Sequence, residues 1–342
     1  MSETLRIGII GGGRIGKVHA TSITTRVPSA KVVALADKFM NDKLRDWCHG
    51  MGIMNTPTDP EEIIKSSDID AVLICSPTNT HSQLIQAAAK AGKHIFCEKP
   101  VDTDLKRIAE TMEVVRKSGV KFQIGFNRRF DHNHMAVRQQ VENGTIGKVH
   151  IVKVTSRDPA PPTPAYVAVS GGIFLDMMIH DFDMVRYLSG QEVEEVYATG
   201  AVLIDEGIGK AGDVDTAVVS MKLSGGALAI IDNSRQAVYG YDQRTEVFGE
   251  KGCAMVGNDR PSLVEVSTKD TVSSEKPLYF FLDRYMDSYA REVGDFVASV
   301  IGDKPTLCGI DDAIRPVEIA LAATKSLKEG RPVAVSEVRY IK

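Results

Sequence analysis

Residues 5–16 read LRIGIIGGGRIG, an apolar run that leads directly into three consecutive glycines. The residues that follow, KVHA, are compatible with a helix. The order of strand, G-x-G-x-x-G and helix is typical of dinucleotide-binding βαβ units. Gly11 permits a tight turn, Gly13 lets the backbone approach a pyrophosphate, and Gly16 lets the helix pack closely on the strand. The stretch therefore predicts a parallel, nucleotide-binding sheet.

Apolar strands and helical runs continue to alternate up to Gly125. Further strands are predicted at residues 31–36, 71–75, 93–97 and 120–125. Alternation of this kind gives a doubly wound α/β fold, in which the loops after the parallel strands meet at one edge of the sheet. We therefore predict a dinucleotide-binding Rossmann domain over residues 1–125.

The pattern beyond residue 125 consists mainly of strands. They are predicted at residues 149–155, 196–203, 216–223, 227–233, 245–248 and 263–267. Two late helices follow, at about 284–301 and 310–328, and the second is a candidate for packing back on the first domain. We predict a second α/β domain over residues 126–342 with a large, mainly antiparallel sheet.

Length and charge narrow the class of protein. The chain has 342 residues, more than one hydrophobic core usually organises. Its net charge of −4, without a block of like charges, gives no electrostatic footprint for nucleic acid or anionic membranes. No apolar stretch is long enough to span a bilayer, and the amino terminus has no basic signal-peptide region. We expect a cytoplasmic protein that acts on a small molecule and has no nucleic-acid or membrane partner.

Cysteine and histidine spacing argues against a metal. The five cysteines are widely spaced and never form C-x-x-C, and the eight histidines contain no H-E-x-x-H. These patterns indicate neither a disulfide framework nor a closed zinc site. We therefore expect reduced thiols and no metal.

Asp37 follows the second predicted strand and lies 37 − 16 = 21 positions after Gly16. A carboxylate at this place accepts hydrogen bonds from the adenosine ribose and repels a 2′-phosphate, which favours NAD over NADP. Two alternatives stay open, because Asp37 could be an ordinary turn residue and the neighbouring Arg14 and Lys38 could accommodate a phosphate. The candidate cofactor-binding residues are Gly11, Gly13, Arg14, Ile15, Gly16, Asp37, Lys38, Ser76, Pro77, Asn79, His81, Glu98 and Lys99.

Three further residues are candidates for catalysis. Lys99 stands in the tetrapeptide CEKP, at the carboxyl end of the apolar strand 93–97. Ligands bind at that edge of a parallel sheet, although a lysine that reaches solvent beside a turn proline is an alternative. Asp176 and His180 are four residues apart in a predicted helix that follows two glycines, so a carboxylate and an imidazole share one face. Such a pair supports either proton transfer or a purely structural hydrogen bond.

Three motifs in register, GGGRIG at 11–16, EKP at 98–100 and the Asp176/His180 pair, resemble the Gfo/Idh/MocA oxidoreductase family over nearly the whole chain. The resemblance implies that the second domain binds substrate, has an open sheet, and builds dimers or tetramers through that sheet. It implies Lys99, Asp176 and His180 as the catalytic residues. It also implies a cis peptide bond before Pro100.

Residues 126–131 and 233–244 resemble the corresponding segments of the inositol-oxidising members of that family. Mixed hydrogen-bond donors and acceptors suit the ring of hydroxyls on a cyclitol, although the same residue types are also common in subunit interfaces. The candidate substrate-binding residues are Asn127, Arg128, Asp158, Met177 and Tyr239.

The resemblance implies NAD-dependent oxidation of a cyclitol secondary alcohol, in myo-inositol or a stereoisomer, to the keto-inositol, as a step of inositol catabolism. His180 is expected to act as general base, Asp176 to orient its ring, and Lys99 to stabilise alkoxide character in the substrate. One alternative is another sugar or polyol oxidoreductase of the same family. A second alternative is a non-catalytic NAD-binding sensor.

Overall fold

The computed structural model describes residues 4–340. The strands, numbered in chain order, are β1 (Leu5–Ile10), β2 (Ala30–Ala36), β3 (Ala71–Ile74), β4 (His94–Glu98), β5 (Phe122–Gly125), β6 (Val149–Arg157), β7 (Val193–Ala201), β8 (Thr216–Leu223), β9 (Leu228–Ser234), β10 (Asp242–Gly249), β11 (Gly252–Val256), β12 (Glu265–Ser267), β13 (Val272–Ser274) and β14 (Val333–Ala334). The α-helices are α1 (Arg14–Arg26), α2 (Asp42–Gly50), α3 (Pro60–Lys65), α4 (His81–Lys90), α5 (Leu105–Ser118), α6 (His132–Glu142), α7 (Pro164–Ser170), α8 (Ile179–Ser189), α9 (Glu206–Lys210), α10 (Phe281–Arg284), α11 (Met286–Ile301) and α12 (Ile310–Glu329).

The chain divides into two compact units. Within the described residues, the first unit contains 4–130, 286–315 and 340, and the second contains 131–285 and 316–339. The first unit thus takes in α11, which the sequence assigned to the second domain. The division falls inside α12 at Pro316.

The first unit is built on a parallel sheet with the strand order β2-β1-β3-β4-β5. Its strands are apolar and buried because helices cover both faces of a doubly wound sheet. The α/β Rossmann fold predicted from the sequence is confirmed.

The helix α11 packs into the core of the first unit. Val293, Phe296 and Val297 join the apolar cluster formed by the strands and α1. The ring of Phe296 stands edge-on to that of Phe96, with 5.9 Å between the centroids. Helical periodicity predicts an apolar face on this helix but not the sheet it covers, so its membership of the first unit had to come from the tertiary structure.

The second unit holds a sheet of seven strands in the order β11-β10-β6-β9-β8-β7-β14. Only the β6/β9 pair is parallel, so the predicted mainly antiparallel α/β domain is confirmed. Alternate residues of β8 are buried and exposed, as expected for a sheet with one covered face. The helix α8, almost wholly buried, packs against β6 on the covered side.

Several predicted strands end at different residues in the structure. The run 196–203 stops at Ala201, because the Asp215 carboxylate accepts hydrogen bonds from the backbone N–H groups of Leu203 and Ile204. The run 263–267 does not join the large sheet, since β12 pairs only with β13. Within residues 4–340, no helix combines the length and the apolar character that crossing a bilayer requires.

Candidate active site

The glycine loop after β1 has the geometry that a bound pyrophosphate needs. Gly11 has a φ of +106°, and a Cβ on it would lie 2.7 Å from the carbonyl of Cys75. A Cβ on Gly16 would lie 1.9 Å from the Gly11 oxygen, so neither glycine tolerates a side chain. Gly13 is exposed, and a Cβ there would meet nothing within 4 Å. The backbone is therefore open to a ligand at the first turn of α1, and the loop fits NAD.

Asp37, the predicted ribose-binding residue, organises this loop. Its Oδ2 accepts a hydrogen bond from the Gly12 N–H at 2.7 Å, and its Oδ1 accepts one from the Phe39 N–H at 2.8 Å. Each carboxylate oxygen has a further lone pair, so Asp37 keeps the capacity to accept from ribose hydroxyls. Lys38, the next residue in the chain, is exposed, and so is Arg14 at the start of α1.

The strands β3 and β4 are parallel neighbours, with Ile74 opposite Cys97. The loops that begin at Ser76 and at Lys99 therefore emerge at the same edge, as predicted. The Lys99–Pro100 peptide bond is cis, also as predicted. The Oγ of Ser76 lies 2.6 Å from the hydroxyl oxygen of Thr80. Pro77 and Asn79 are exposed in this loop, whereas Ile15 beside the glycine loop is half-buried.

Two of the predicted cofactor-binding residues, His81 and Glu98, have protein partners in the structure. The His81 ring is only 1% exposed, and its Nδ1 and Nε2 lie 2.8 Å from the Pro100 oxygen and 2.7 Å from the Ser76 oxygen. The Oε1 of Glu98 lies 2.6 Å from Nε2 of the buried His19 on α1. Both ring nitrogens of His81 are thus occupied by main-chain oxygens, whereas the Glu98 carboxylate keeps the capacity to accept further hydrogen bonds. Their partners lie on other elements, and sequence spacing does not reveal them.

In the second unit, Asp176 is held by two residues that the sequence analysis did not single out. Its Oδ1 accepts a hydrogen bond from the Tyr166 hydroxyl at 3.0 Å, and its Oδ2 accepts one from Nη1 of Arg235 at 3.2 Å. Burial and the neighbouring Asp176 carboxylate raise the pKa of Tyr166, so the phenol stays protonated and donates. Arg235 is 2% exposed, so water screens the attraction between its guanidinium and Asp176 only weakly.

The strand pairing explains why Arg235 reaches this position. Because β6 and β9 run parallel, with Arg157 opposite Ser234, the residues that follow them lie at one edge. Asp158 donates its N–H to the Ser234 oxygen at 3.0 Å, and its Oδ2 lies 3.9 Å from Nη1 of Arg235. Arg235 stands in the segment 233–244 that the resemblance had already marked. For Tyr166, the sequence carries no comparable signal.

Asp176 lies in a π-helical turn, Ile173–Met177, and not in the regular helix that the sequence predicted. Gly171 and Gly172 both have positive φ and lead into this turn. The Asp213 carboxylate accepts from the Ile173 N–H, and burial raises the pKa of Asp213 despite that hydrogen bond. His180 follows in the first turn of α8 and is partly exposed. The pairing of Asp176 with His180 stays a prediction.

The other predicted substrate residues differ in exposure. Asn127 and Arg128 form part of a buried 3-10 turn directly after β5. Asn127 is notable because its Nδ2 is buried and, among the described residues, has no hydrogen-bond partner. Met177 is buried.

Tyr239 is partly exposed and donates its hydroxyl to Oδ2 of Asp242 at 2.5 Å. Asp242 also accepts from Nε of Arg244 at 2.8 Å and from Nδ2 of Asn258 at 2.7 Å. Burial opposes ionisation of Asp242, yet these hydrogen bonds leave its pKa below the usual range. The hydrogen bond to Asp242 thereby fixes the hydroxyl end of Tyr239, and part of its ring stays exposed.

One cluster of possible metal ligands has a different explanation. Ligand atoms of Asp131, His132 and Asp259 lie within 4.8 Å of one another. The Nη1 of Arg284 lies 2.5 Å from Oδ2 of Asp131 and 2.8 Å from Oδ2 of Asp259. The guanidinium pairs with both carboxylates, so the cluster is accounted for as an ion-pair network.

Comparison with known proteins gives matches over both units. Residues 5–126 match the oxidoreductase family with an NAD-binding Rossmann fold, GFO_IDH_MocA, and residues 134–255 match the GFO/IDH/MocA C-terminal domain. A myo-inositol 2-dehydrogenase of Thermotoga maritima is 50% identical over 98% of this chain and 99% of its own length.

Two solved structures are also similar. A probable dehydrogenase from Thermotoga maritima has a TM-score of 0.95 and 50% identity, covering 98% of this chain and 100% of that one. The scyllo-inositol dehydrogenase of Lactobacillus casei, solved with NAD(H) and scyllo-inositol, has a TM-score of 0.90 and 33% identity, covering 97% of this chain and 99% of that one.

The geometry of the glycine loop and the match of residues 5–126 agree on one cofactor, NAD. The Thermotoga maritima relative is 50% identical over nearly the full length of both chains, so the similarity includes the second unit as well. This chain therefore belongs to the Gfo/Idh/MocA family of NAD-binding oxidoreductases.

Proposed function

We propose that the protein oxidises a secondary alcohol of a cyclitol, myo-inositol or a stereoisomer, to the keto-inositol in inositol catabolism. The observation that carries this proposal is a carboxylate, Asp176, that Tyr166 and Arg235 hold in place one turn ahead of His180. Relatives named as inositol dehydrogenases support the substrate class.

Bound NAD supplies the hydride acceptor at nicotinamide C4. In the proposed mechanism, His180 takes the proton of the reacting hydroxyl as general base. Asp176 orients the imidazole and stabilises its protonated form. The ammonium of Lys99 donates a hydrogen bond to the same hydroxyl and favours alkoxide character as the hydride leaves.

The substrate-binding residues in this proposal offer both donors and acceptors to a ring of hydroxyls. Asn127 supports it most directly, because its buried Nδ2 has no partner among residues 4–340 and a substrate oxygen would satisfy it. Arg128, Asp158, Met177 and Tyr239 complete the proposed set. Cyclitols are neutral, so such a site needs hydrogen bonds more than net charge.

A substrate screen tests the reaction class. Formation of NADH is followed by absorbance with myo-, scyllo- and chiro-inositol and with common aldoses. We expect turnover with at least one inositol. Activity on aldoses alone would show a different sugar oxidoreductase, and NAD binding without any turnover would show a sensor.

Replacing Lys99 tests the proposed mechanism. In Lys99→Met, we expect turnover to fall by about a hundredfold or more, because a preorganised donor to the developing alkoxide is lost. The dissociation constant of NAD should stay near the wild-type value. Lys90→Met, an exposed change at the end of α4, is the control. Normal turnover in Lys99→Met would contradict the assignment.

We also propose that the protein is a homodimer or homotetramer built through the uncovered face of the seven-stranded sheet. Large apolar side chains are exposed on strands of this sheet, among them Tyr197, Val218, Leu228, Ile230 and Phe248. Exposed apolar groups in this number on one sheet are typical of an interaction surface.

A further inference from the structure

His81 is a buried titratable residue that the proposed mechanism does not use. It is the first residue of α4, and its ring is 1% exposed. Its Nδ1 lies 2.8 Å from the oxygen of Pro100, the residue directly after Lys99. Its Nε2 lies 2.7 Å from the oxygen of Ser76. One ring thus touches the loops that follow two neighbouring parallel strands, β3 and β4.

The next residue of α4 contacts the same loop. The Oγ of Ser82 donates a hydrogen bond to Oδ2 of Asp102 at 3.0 Å and lies 3.4 Å from the Val101 oxygen. The other oxygen of Asp102 accepts from the Thr103 N–H at 2.7 Å. The beginning of α4 therefore holds three consecutive residues, 100 to 102, immediately after Lys99.

The chemistry of the ring makes this arrangement costly. Carbonyl oxygens only accept hydrogen bonds, and a neutral imidazole has a single N–H. Both contacts are hydrogen bonds only when both ring nitrogens carry hydrogen, which makes the ring cationic. Burial lowers the pKa of His81 below its ordinary value, although the two carbonyls and the carboxylates of Glu98 and Asp102 act in the opposite direction, so the neutral ring donates through one nitrogen at a time. Stability alone would favour an apolar residue at such a position.

We propose that His81 is a positioning residue for the reaction. Through Nδ1 it fixes the main chain beside Lys99, and through Nε2 it fixes the loop that begins at Ser76. The first contact fixes the direction in which the Lys99 side chain leaves the main chain. The second contact fixes the position of the loop that is expected to bind the cofactor. This inference rests on the role of Lys99 given under the proposed function.

Two substitutions separate the contacts. The amide nitrogen of asparagine stands near the position of histidine Nδ1, and that of glutamine stands near Nε2. His81→Asn therefore keeps a donor for Pro100 and loses the one for Ser76, whereas His81→Gln does the reverse.

We expect the two variants to affect different kinetic constants. In His81→Gln, kcat should fall about tenfold to a hundredfold while the KM for NAD stays within about threefold, because a misplaced catalytic group slows the chemical step. In His81→Asn, the KM for NAD should rise about fivefold while kcat stays within about threefold. Gln83→Asn, an exposed change in the same turn of α4, is the control.

Several outcomes would overturn the inference. Equal losses in both variants would indicate a general packing role, and wild-type constants in both would indicate no role. Melting temperatures identify a variant that fails to fold. In that case Ser82→Ala decides, with an expected fall in kcat of about tenfold and a KM for NAD that stays within about threefold. Normal kcat in Ser82→Ala would then refute the inference.

The proposed mechanism and the positioning role of His81 can be refuted independently of each other. If Lys99→Met turns over normally, the mechanism is wrong whatever His81 does. If Lys99→Met is slow and His81→Gln has the wild-type kcat, only the positioning role of His81 is wrong.

Discussion

Asp176 shows how a predicted residue depends on neighbours that the sequence did not indicate. Its two carboxylate oxygens are bound by Tyr166, ten residues before it, and by Arg235, fifty-nine residues after it. A buried guanidinium next to a carboxylate fixes its direction and balances its charge. The direction of the Asp176 carboxylate is therefore set by Tyr166 and Arg235 together, and its pairing with His180 stays a prediction.

Arg235→Met tests this dependence. We expect kcat to fall about tenfold with the cyclitol that the screen identifies, with a smaller change in its KM, because Asp176 loses its charged partner and its fixed orientation. Arg235→Lys keeps the charge and should recover part of kcat. Melting temperatures show whether the fold survives the loss of a buried ion pair. An unchanged kcat in Arg235→Met would refute the argument.

At the scale of elements, the sequence predicted long strands and helices well and their ends less well. β8 has the predicted limits, whereas β7 begins three residues earlier than predicted and ends two residues earlier. The cause is a tertiary contact, because the backbone N–H groups of Leu203 and Ile204, where β7 was expected to continue or end, donate to the Asp215 carboxylate. The strand β14 contains two residues and exists only because it pairs with β7.

Asp215→Asn should lower stability in a pH-dependent way. Burial raises the pKa of Asp215, but hydrogen bonds from Leu203, Ile204, Asp205 and Thr216 bring the pKa below its ordinary value. A carboxyl group whose pKa is lower in the folded state than in the unfolded state stabilises the fold at pH values above its unfolded pKa of about 3.9. This stabilisation is lost as the pH falls through the folded-state pKa.

Urea unfolding at several pH values measures this effect. We expect the variant to be about 1–3 kcal/mol less stable than the wild type at pH 7, with the difference shrinking below about pH 4. Asp270→Asn, at an exposed position, should match the wild type throughout. A difference that does not change with pH would contradict the role of the charge.

At the scale of the whole molecule, the proposed oligomer makes a prediction that does not involve catalysis. Ile230, on the central strand β9, is 39% exposed on the proposed interface. Ile230→Glu places a charge there, and burying it on association would be costly, so sedimentation velocity should show smaller species than in the wild type.

Leu263→Glu is the matched control, because Leu263 is 91% exposed and lies outside the seven-stranded sheet. This variant should keep the wild-type sedimentation coefficient. A wild-type protein that is monomeric at micromolar concentration would refute the proposed oligomer.

The sequence alone determined the two fold classes, the glycine loop, Asp37 and the place of Lys99. These features follow from local patterns, because apolar periodicity sets an element and a strand end sets an edge of the sheet. Asp176 and His180 were identified by their spacing together with the resemblance, and Asp158 by the resemblance alone; neither gave their partners.

Only the tertiary structure decided which side chains hold these groups. Arg235 meets Asp176 because β6 and β9 pair in parallel, and His81 bridges two loops because β3 and β4 are neighbours. It also decided that α11 belongs to the first unit. Hydrogen bonds and packing between distant residues depend on how the elements are arranged in space, and no local pattern in the chain records that arrangement.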